Sequence, residues 1–406
     1  MLDRLQLVVK YFPVHSAFIG GGLALAIYWR LRGQARAWFL ALAGWLFAAV
    51  LAGPAFAIQT LALTLITTAI ARYLQRAPKA RWTAALYWLG LALPLLNLAL
   101  FKYGLAPGLR ASLGLVRALG VSYYTFKLLH LVIDSRRGRL REIDARLALA
   151  FVFFVPTFPA GPIYRYRQFV ADLDGVGPLD SGAVRTGTRR LIYGLFFKFI
   201  LADRLGFWAA AQGAPGQLGR GALALVLLAW ALQIFLDFKG YSDIAIGLAR
   251  FFGFQAPENF RTPYLKPNLV LFWQNWHITL TSWLREYVYL PLGKWLLPRI
   301  GREHPWLINA LAQLVTMGLV GLWHGSTLNF LVWGLYHGVG LSLYRIYSDL
   351  SQRYLPEAAR SALGGPAGRL AGTLATFGFV ALGWVFFVND LPAAVSIISR
   401  LLGIGR

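Results

Sequence analysis

The feature that most constrains this chain is a series of apolar stretches, each long enough, or nearly so, to cross a lipid bilayer as a helix. A hydrocarbon core about 30 Å thick needs about 20 apolar residues in helical form. The stretches are rich in Leu, Ala, Phe and Trp and lack a two-residue alternation, which favours helices over a β-barrel. They cover residues 14–29, 37–52, 55–71, 83–101, 119–133, 191–209, 222–238, 306–322, 327–344 and 371–388.

The composition of the 406-residue chain excludes a water-soluble fold. Hydrophobic residues make up 58% of the chain and charged residues 14%, whereas soluble domains average about 45–50% and about 25%. The absence of cysteine excludes a disulfide framework, a catalytic thiol and thiolate metal ligands. We predict an all-α integral membrane protein with about 10–11 transmembrane helices plus re-entrant or interfacial helices. A single polytopic domain is expected over residues 1–406.

The net charge of +24 comes from 40 Lys and Arg against 16 Asp and Glu. In a soluble protein this excess would indicate nucleic-acid binding. Here the basic residues flank apolar stretches, where positive loops fix the orientation of a membrane protein, so no nucleic-acid partner is expected. Twelve of them fall in the loops at 30–36, 72–81 and 136–146, and five on the alternate side, namely Arg4, Lys10, Lys102, Arg110 and Arg117. This count predicts that the three loops are cytoplasmic and that the N-terminus is extracytoplasmic.

Residues 147–160 break the pattern of simple spans. They contain Pro156 and Pro159 and precede a basic stretch that runs from Arg165 to Arg190. We expect this segment to enter the membrane and return rather than cross it. Non-helical backbone at that depth is tolerated only where protein buries it or a cavity adjoins it.

Polar side chains within apolar segments are costly and are therefore candidates for functional sites. His130 and Asp134 are four residues apart, which puts both on one helical face, where Asp134 could orient the imidazole of a catalytic pair. The alternative is a helix-end aspartate before the basic loop at 136–141 and a histidine that faces neighbouring helices. We favour this structural explanation and keep the catalytic one open. His15 and His304 lie near predicted helix ends, where an interfacial histidine is unremarkable.

The segment 272–287 is neither an ordinary span nor an ordinary loop. It contains three tryptophans, His277 and the neighbouring Arg285 and Glu286. Indole and imidazole N–H groups need hydrogen-bond partners, so a protein-lined, partly wet cavity suits such a segment. An interfacial aromatic belt would explain the tryptophans but not Arg285 and Glu286.

The apolar stretch from 306 to 344 is too long for one span. Its 39 residues would extend about 58 Å as a single helix. We therefore predict a bend near Gly325 and Ser326, which would place His324 at a break between helices, where membrane proteins build sites. His337, within the second helix, either supports that site or packs.

A histidine without metal partners or a nucleophile elbow indicates general-base chemistry. The neutral imidazole would take a proton from an acceptor hydroxyl, which attacks an acyl carbonyl. A thioester already activates that carbonyl, so no covalent enzyme intermediate is needed. We expect neither a bound metal nor a bound cofactor.

A series of ordered motifs covers about two-thirds of the chain. In chain order they are Val121–Phe126 with Ile133-Asp134, Gly161–Phe169, Gly240–Gly247, Pro257–Phe260, Pro263-Tyr264, Phe272–Tyr287, Pro291–Gly293, Gly321–Gly325, Trp333-Gly334, His337-Gly338 and Gly383–Phe387. The series resembles the membrane-bound O-acyltransferase family, in particular its bacterial branch of alginate O-acetyltransferases and teichoic acid D-alanyl transfer proteins.

The resemblance implies a helical fold around a buried funnel, with the catalytic core at about 120–345. It places the family's catalytic histidine at His324 and its partner histidine at His277. We predict His324 as the base and His277 as the group that orients the acceptor or stabilises charge at the carbonyl. The predicted pocket residues are Asn275, Trp276, Arg285, Glu286, Trp323, Tyr336 and His337. Arg285 and Glu286 are expected to form a buried pair, or Arg285 to contact donor phosphate.

The resemblance also implies the substrates and partners. An acyl thioester, either acetyl-coenzyme A or the phosphopantetheine of an acyl carrier protein, is expected at the cytoplasmic face of a bacterial cytoplasmic membrane. An acceptor hydroxyl of an exported polymer would arrive from the other face, with a periplasmic or extracellular acyltransferase as a further partner. Both donors are anionic and favour a basic surface, although positive-inside topology requires those arginines in any case.

Two departures from the family pattern leave the acyl group open. Pro257–Phe260 and Tyr289–Gly293 are typical of polysaccharide acetyltransferases, whereas the short length and the end after Phe387 are typical of the D-alanyl branch. The usual basic residues before the first histidine are replaced by Gln274 and Asn275. We predict acetyl transfer to an exported polysaccharide, with D-alanyl transfer to a teichoic-type polymer as the alternative. The rivals from other classes are a transporter of an anionic polymer precursor and a docking scaffold.

Overall fold

A computed structural model describes residues 14–104, 108, 120–140, 142–213 and 215–404. Among these residues the regular structure is entirely helical, which confirms the predicted all-α class. The N-terminus and Arg4, Lys10, Arg110, Arg117 and Arg141, all of which enter the orientation prediction, lie outside the described residues.

The chain forms two compact units, of which the first comprises residues 1–193 and 242–257. The prediction of one polytopic domain over residues 1–406 stays a prediction. The helices of the first unit are α1 (Val14–Arg30), α2 (Gln34–Ala52), α3 (Pro54–Arg76), α4 (Thr83–Lys102), α5 (Val121–Arg136), α6 (Ala145–Phe153), α7 (Tyr166–Asp174) and α8 (Ser181–Leu195).

The segment predicted to enter the membrane and return is short and buried. Helix α6 has nine residues, about 14 Å at 1.5 Å per residue, which is half of what a span needs. Phe151, Phe153, Phe154 and Phe158 are fully buried in the core of this unit. Gly44 of α2 lies so close to the Phe153 carbonyl that a Cβ would be 1.7 Å from its oxygen. Protein therefore surrounds this segment, as the prediction requires.

The candidate pair His130 and Asp134 has a structural role. The Tyr166 N–H donates to His130 Nε2 at 3.0 Å, so Nδ1 carries the proton and donates to the Phe126 carbonyl at 3.2 Å. Both ring nitrogens are thus engaged by backbone groups. Asp134 lies 3.6 Å from the guanidinium of Arg139. These contacts support the structural explanation of the motif formed by His130 and Asp134.

The second unit comprises residues 194–241 and 258–406. Its helices are α9 (Asp203–Ala211), α10 (Arg220–Phe251, whose last ten residues belong to the first unit), α11 (Leu269–Asn275), α12 (Ile278–Leu284), α13 (Leu290–Ile300), α14 (Pro305–His324), α15 (Leu328–Tyr354), α16 (Glu357–Gly364), α17 (Pro366–Val388) and α18 (Leu391–Leu402). Turns of π-helix at Phe196–Ala202 and Arg285–Tyr289 precede α9 and α13.

Helices α14 and α15 form a closely packed hairpin. A Cβ on Gly321 would lie 2.2 Å from the Phe330 carbonyl oxygen, and one on Gly334 would lie 2.2 Å from that of Met317. Small residues allow helix backbones in a membrane to approach closely, where van der Waals contact replaces the hydrophobic effect as the driving force. The glycines therefore fix the spacing of the two helices that carry the candidate site.

Six helices are long and apolar enough to cross a membrane, judged by length and composition within the described residues. They are α2, α3, α4, α10, α14 and α17. The remaining predicted stretches also fall on helices, but these are shorter (α1 and α5), broken by a π-turn (α8 and α9) or less apolar (α15). The predicted number of about 10–11 spans includes such helices, which is why it exceeds six.

Candidate active site

His324 lies at the break that the length of the 306–344 stretch predicts. Helix α14 ends at His324 and α15 begins at Leu328, which confirms the bend near Gly325 and Ser326. The C-terminal end of a helix carries partial negative charge and favours a cation.

Aromatic rings surround His324, which is half-buried. Its ring centroid lies 4.6 Å from that of Trp323, 5.1 Å from that of Trp333 and 5.0 Å from that of Phe387. Trp333 belongs to α15 and Phe387 to α17, so three helices build this wall. The rings limit the rotamers of the imidazole.

His277 lies in the turn between α11 and α12 with an unusual backbone conformation. Its φ of 44° makes it one of two non-glycine residues with positive φ within the described ranges. Such conformations cost about 1–3 kcal/mol and persist where the surroundings impose them. Asn259 imposes this one, since its carbonyl accepts from the Ile278 N–H at 2.9 Å and its Oδ1 accepts from the Thr279 hydroxyl at 2.7 Å.

The imidazole of His277 is buried, with 3% of the residue exposed. Phe238 packs against it edge to face at 4.7 Å between ring centroids. Apart from its own backbone, neither ring nitrogen has a hydrogen-bond partner in the described part of the chain. Burial lowers the pKa of His277 to about 3, so the ring is neutral at physiological pH and retains one donor and one acceptor nitrogen.

Trp323 connects the two predicted catalytic histidines. Its ring is 6.2 Å from that of His277 and 4.6 Å from that of His324. The structure thus brings together three residues that the sequence predicts for one site. All of their ring contacts lie within the second unit.

His337 extends this cluster on the α15 side. It is fully buried, and its ring lies 5.1 Å from that of Trp333 and 5.2 Å from that of Trp273. Neither of its ring nitrogens, nor the indole nitrogens of Trp273 and Trp333, has a hydrogen-bond partner among the described residues. Buried polar groups are normally paired with protein or water, and His337 contributes its imidazole to the aromatic packing of the cluster.

Three other predicted pocket residues have packing partners elsewhere in the second unit. Trp276 is buried against Phe272 and Trp384, with centroid distances of 5.5 and 5.1 Å. Tyr336 stacks on a phenylalanine of α17 at 4.2 Å and donates its hydroxyl to that residue's carbonyl. Asn275 donates its side-chain amide to the Leu271 carbonyl at 2.8 Å. These contacts hold α11, α15 and α17 in place, and contact with substrate stays a prediction for all three.

The expected buried pair of Arg285 and Glu286 is wrong. Arg285 is exposed and Glu286 is half-buried. Both belong to a π-helical turn, Arg285–Tyr289, and an exposed Arg285 cannot form a buried pair. The alternative, in which Arg285 contacts donor phosphate, is compatible with its exposure and stays a prediction.

Sequence reasoning missed Trp273, Trp333 and Asn259 as individual site residues. All three stand inside quoted motifs, and Trp333 is four residues before His337, which places both on one face of α15. That spacing was the signal for Trp333. The role of Asn259 depends on contacts between residues about 20 positions apart, for which the sequence offers no local signal.

The arrangement holds a neutral buried imidazole, that of His277, and the imidazole of His324 at the C-terminal end of α14 against the same indole. No group of three or more His, Cys, Asp or Glu side chains suited to a metal ion occurs within the described residues.

A comparison with known protein families identifies the family of this chain. The profile of MBOAT, the membrane-bound O-acyltransferase family, matches residues 39–382. The chain therefore belongs to the MBOAT family, as the ordered motifs predict.

The relatives of this chain fall into groups with different polymers in their names. It is 30% identical to a teichoic acid D-alanyltransferase of Bacillus subtilis over 59% of this chain and 62% of the relative. It is 32% identical to a probable alginate O-acetylase of Pseudomonas syringae over 73% of this chain and 53% of the relative. It is 31% identical to a peptidoglycan O-acetyltransferase of Helicobacter pylori over 63% of this chain and 46% of the relative. The matched region thus spans about half to three-fifths of each of these relatives.

Proposed function

We propose that this protein is a membrane O-acyltransferase that moves an acetyl group from a thioester to hydroxyls of an exported cell-surface polysaccharide. The observation that carries the proposal is the histidine cluster. His277 and His324 contact the same indole, that of Trp323, in a chain that belongs to the MBOAT family.

The reaction needs one base and one group that stabilises charge. The acceptor oxygen forms a bond to the thioester carbonyl carbon while its proton passes to the base, and the carbon–sulfur bond then breaks. The departing thiolate takes that proton and leaves as a thiol, so no redox partner is required. Rings packed about the site exclude water and thereby limit hydrolysis of the thioester.

The environments of the two histidines favour different roles. His324 is half-buried at the C-terminal end of α14, whereas His277 is buried, so an acceptor hydroxyl reaches His324 more readily; we assign it as the base. His277 stays neutral because it is buried, and a neutral imidazole can donate a hydrogen bond to a developing oxyanion. We assign it that role, or the orientation of the acceptor.

The coverage of the relatives supports acetyl over D-alanyl. Five alginate O-acetylases match between 62% and 81% of this chain, whereas two D-alanyltransferases match 59% and 61%. Pro257–Phe260, which contains the Asn259 clamp of the His277 turn, also resembles the acetyltransferases. Because D-alanyltransferases are among the relatives, D-alanyl transfer from a carrier protein is the second candidate.

The test is the ester-linked acyl content of surface polymer from cells that produce the protein. Mild alkali releases the esters, and chromatography separates acetate from D-alanine. We expect acetate with the native chain and background levels with His324→Ala at equal protein content in the membrane. The matched control is His304→Ala, because His304 is exposed at the start of α14.

Each result decides between the candidates. Release of D-alanine in place of acetate would establish the second candidate. Equal acyl content with native protein and His324→Ala would contradict the assigned base, and no ester above the level of cells without the protein would contradict O-acyl transfer to surface polymer.

A further inference from the structure

The first unit contains a groove whose lining residues are distant in the sequence from those of the histidine cluster. It has a volume of about 840 Å³ and is lined by the end of α1, the start of α2, residues 176–179 and Phe251. A second hollow of about 340 Å³ shares Trp29 and residues 176–178 with it. The two hollows therefore form one continuous depression.

The polar part of this depression is basic. Arg32 and Arg36 line the larger hollow and Arg250 the smaller one, against a single carboxylate, that of Asp180. None of the three arginines forms a salt bridge with a carboxylate in the described part of the chain. The buried Nε of Arg250 also has no hydrogen-bond partner there. Three guanidinium groups against one carboxylate favour an anionic ligand, and the planar fork of Arg matches phosphate.

Two neighbouring contacts preorganise the basic end. Arg36 donates to the carbonyls of Leu31 and Val176, both at 2.9 Å, and its guanidinium lies 5.3 Å from the ring centroid of Trp29. Trp29 in turn donates its indole N–H to the Phe251 carbonyl at 3.0 Å. The loop after α1 is thus held to the rest of the unit, so the charge stands in a fixed position.

The remainder of the lining is apolar and continues onto an apolar surface. Leu25, Ala26, Leu179 and Phe251 lie along the larger hollow. On the same helix as Leu25, the side chain of Ile27 is 47% exposed, as expected where a helix faces lipid. Trp29 and the arginines follow this apolar part in the sequence. An apolar stretch, then an aromatic residue, then basic residues is the order found where a membrane helix reaches the lipid headgroups.

We propose that this groove binds an anionic membrane phospholipid. The phosphate lies at Arg32, Arg36 and Arg250, and an acyl chain follows Leu25 and Leu179 along α1. Basic pockets beside membrane helices recognise anionic headgroups in this way. A soluble phosphate compound would use the arginines but leave the apolar lining without a partner, and therefore fits the groove less well. The proposal does not depend on the acyl-transfer chemistry.

Lipid retention by the purified full-length chain tests this proposal. Native mass spectrometry of the protein in detergent would be used to titrate phosphatidylglycerol, phosphatidylcholine with the same acyl chains, and coenzyme A. We expect phosphatidylglycerol to bind about fivefold or more tightly than phosphatidylcholine, and Arg32→Gln to weaken it about fivefold. The double variant Arg32→Gln/Arg250→Gln should weaken it about 25-fold.

The matched control is Arg299→Gln. Arg299 also lies over an indole, that of Trp295 at 3.9 Å, and donates to the carbonyl of the same residue, but it belongs to the second unit. Arg32 is exposed, so its replacement leaves the fold intact even if Arg250→Gln does not. Equal retention of the two lipids, no effect of Arg32→Gln, the same loss with Arg299→Gln, or displacement of the lipid by coenzyme A would each overturn the proposal.

Discussion

At the scale of single residues, His277 depends on its neighbours for its position. Its left-handed backbone is unfavourable for a residue with a Cβ, and no glycine relieves the turn. The side chain and carbonyl of Asn259 hold the first turn of α12 directly after it. A buried amide thus stabilises the conformation that aims the imidazole toward Phe238 and Trp323.

Asn259→Ala is expected to impair catalysis more than stability. The change removes the acceptor for the buried Thr279 hydroxyl, a loss of about 1–3 kcal/mol. It loosens the turn that positions His277, while the backbone carbonyl of residue 259 still accepts from the Ile278 N–H. A displaced catalytic group can reduce the rate about 100-fold, so we expect a decrease of that order in acyl transfer, measured as ester formation per amount of membrane protein.

The control for this change is Asn268→Ala. Asn268 caps α11 by accepting from the Leu271 N–H at 2.8 Å, and loss of such a cap costs about 1 kcal/mol without releasing the His277 turn. If both variants lose activity to the same extent, Asn259 has no specific positioning role.

At the scale of elements, the hairpin of α14 and α15 determines where His324 stands. The helix backbones meet at glycines, and the same hairpin brings Trp333 and His337 beside the α14 terminus. On α17, Gly383 has a similar role, because a Cβ there would lie 2.8 Å from His337 Nε2. Close approach of the helix backbones therefore sets the positions of His324, Trp333 and His337.

Gly334→Ala should separate the hairpin. The new Cβ would collide with the Met317 carbonyl at 2.2 Å, and such overpacking costs about 1–3 kcal/mol. We expect a lower midpoint of thermal unfolding in detergent, followed by tryptophan fluorescence, together with reduced acyl transfer. Gly378→Ala on α17 is the control, since a Cβ there meets nothing within 4 Å. Identical melting of the two variants would show that close approach at Gly334 does not stabilise the hairpin.

At the scale of the whole molecule, the distribution of positive charge predicts the orientation of the chain in the membrane. Basic residues accumulate at the loops 30–36 and 72–81, at the ends of helices that are long and apolar enough to span. Arg32 and Arg36 of the first of these loops also line the groove proposed above, so this loop would serve both topology and ligand binding.

Cysteine labelling tests the orientation, and the absence of native cysteine makes every introduced thiol unique. Lys79 and Tyr103 are exposed near opposite ends of α4. We expect a membrane-impermeant maleimide to label Tyr103→Cys in intact cells and Lys79→Cys only after permeabilisation. The reverse pattern would place the basic loops outside and refute the charge-based prediction.

The sequence by itself determined the helical class, the break after His324 and the family. Long apolar runs admit few structures in lipid, because backbone polar groups must be satisfied within each segment. A 39-residue run cannot remain one span, which is why the position of His324 could be predicted from length alone. Ordered motifs placed His277 and His324 in one site before any contact was known.

Only the tertiary structure decided how those residues meet. It showed that Trp323 contacts both histidines, that Asn259 holds the His277 turn and that Arg285 is exposed. It also showed that both ring nitrogens of His130 form hydrogen bonds with backbone groups. The contacts of Asn259 with Thr279 and of His130 with Tyr166 join residues 20 and 36 positions apart, so periodicity and spacing cannot specify them. Packing of helices against one another, rather than the preference of any segment, makes that choice.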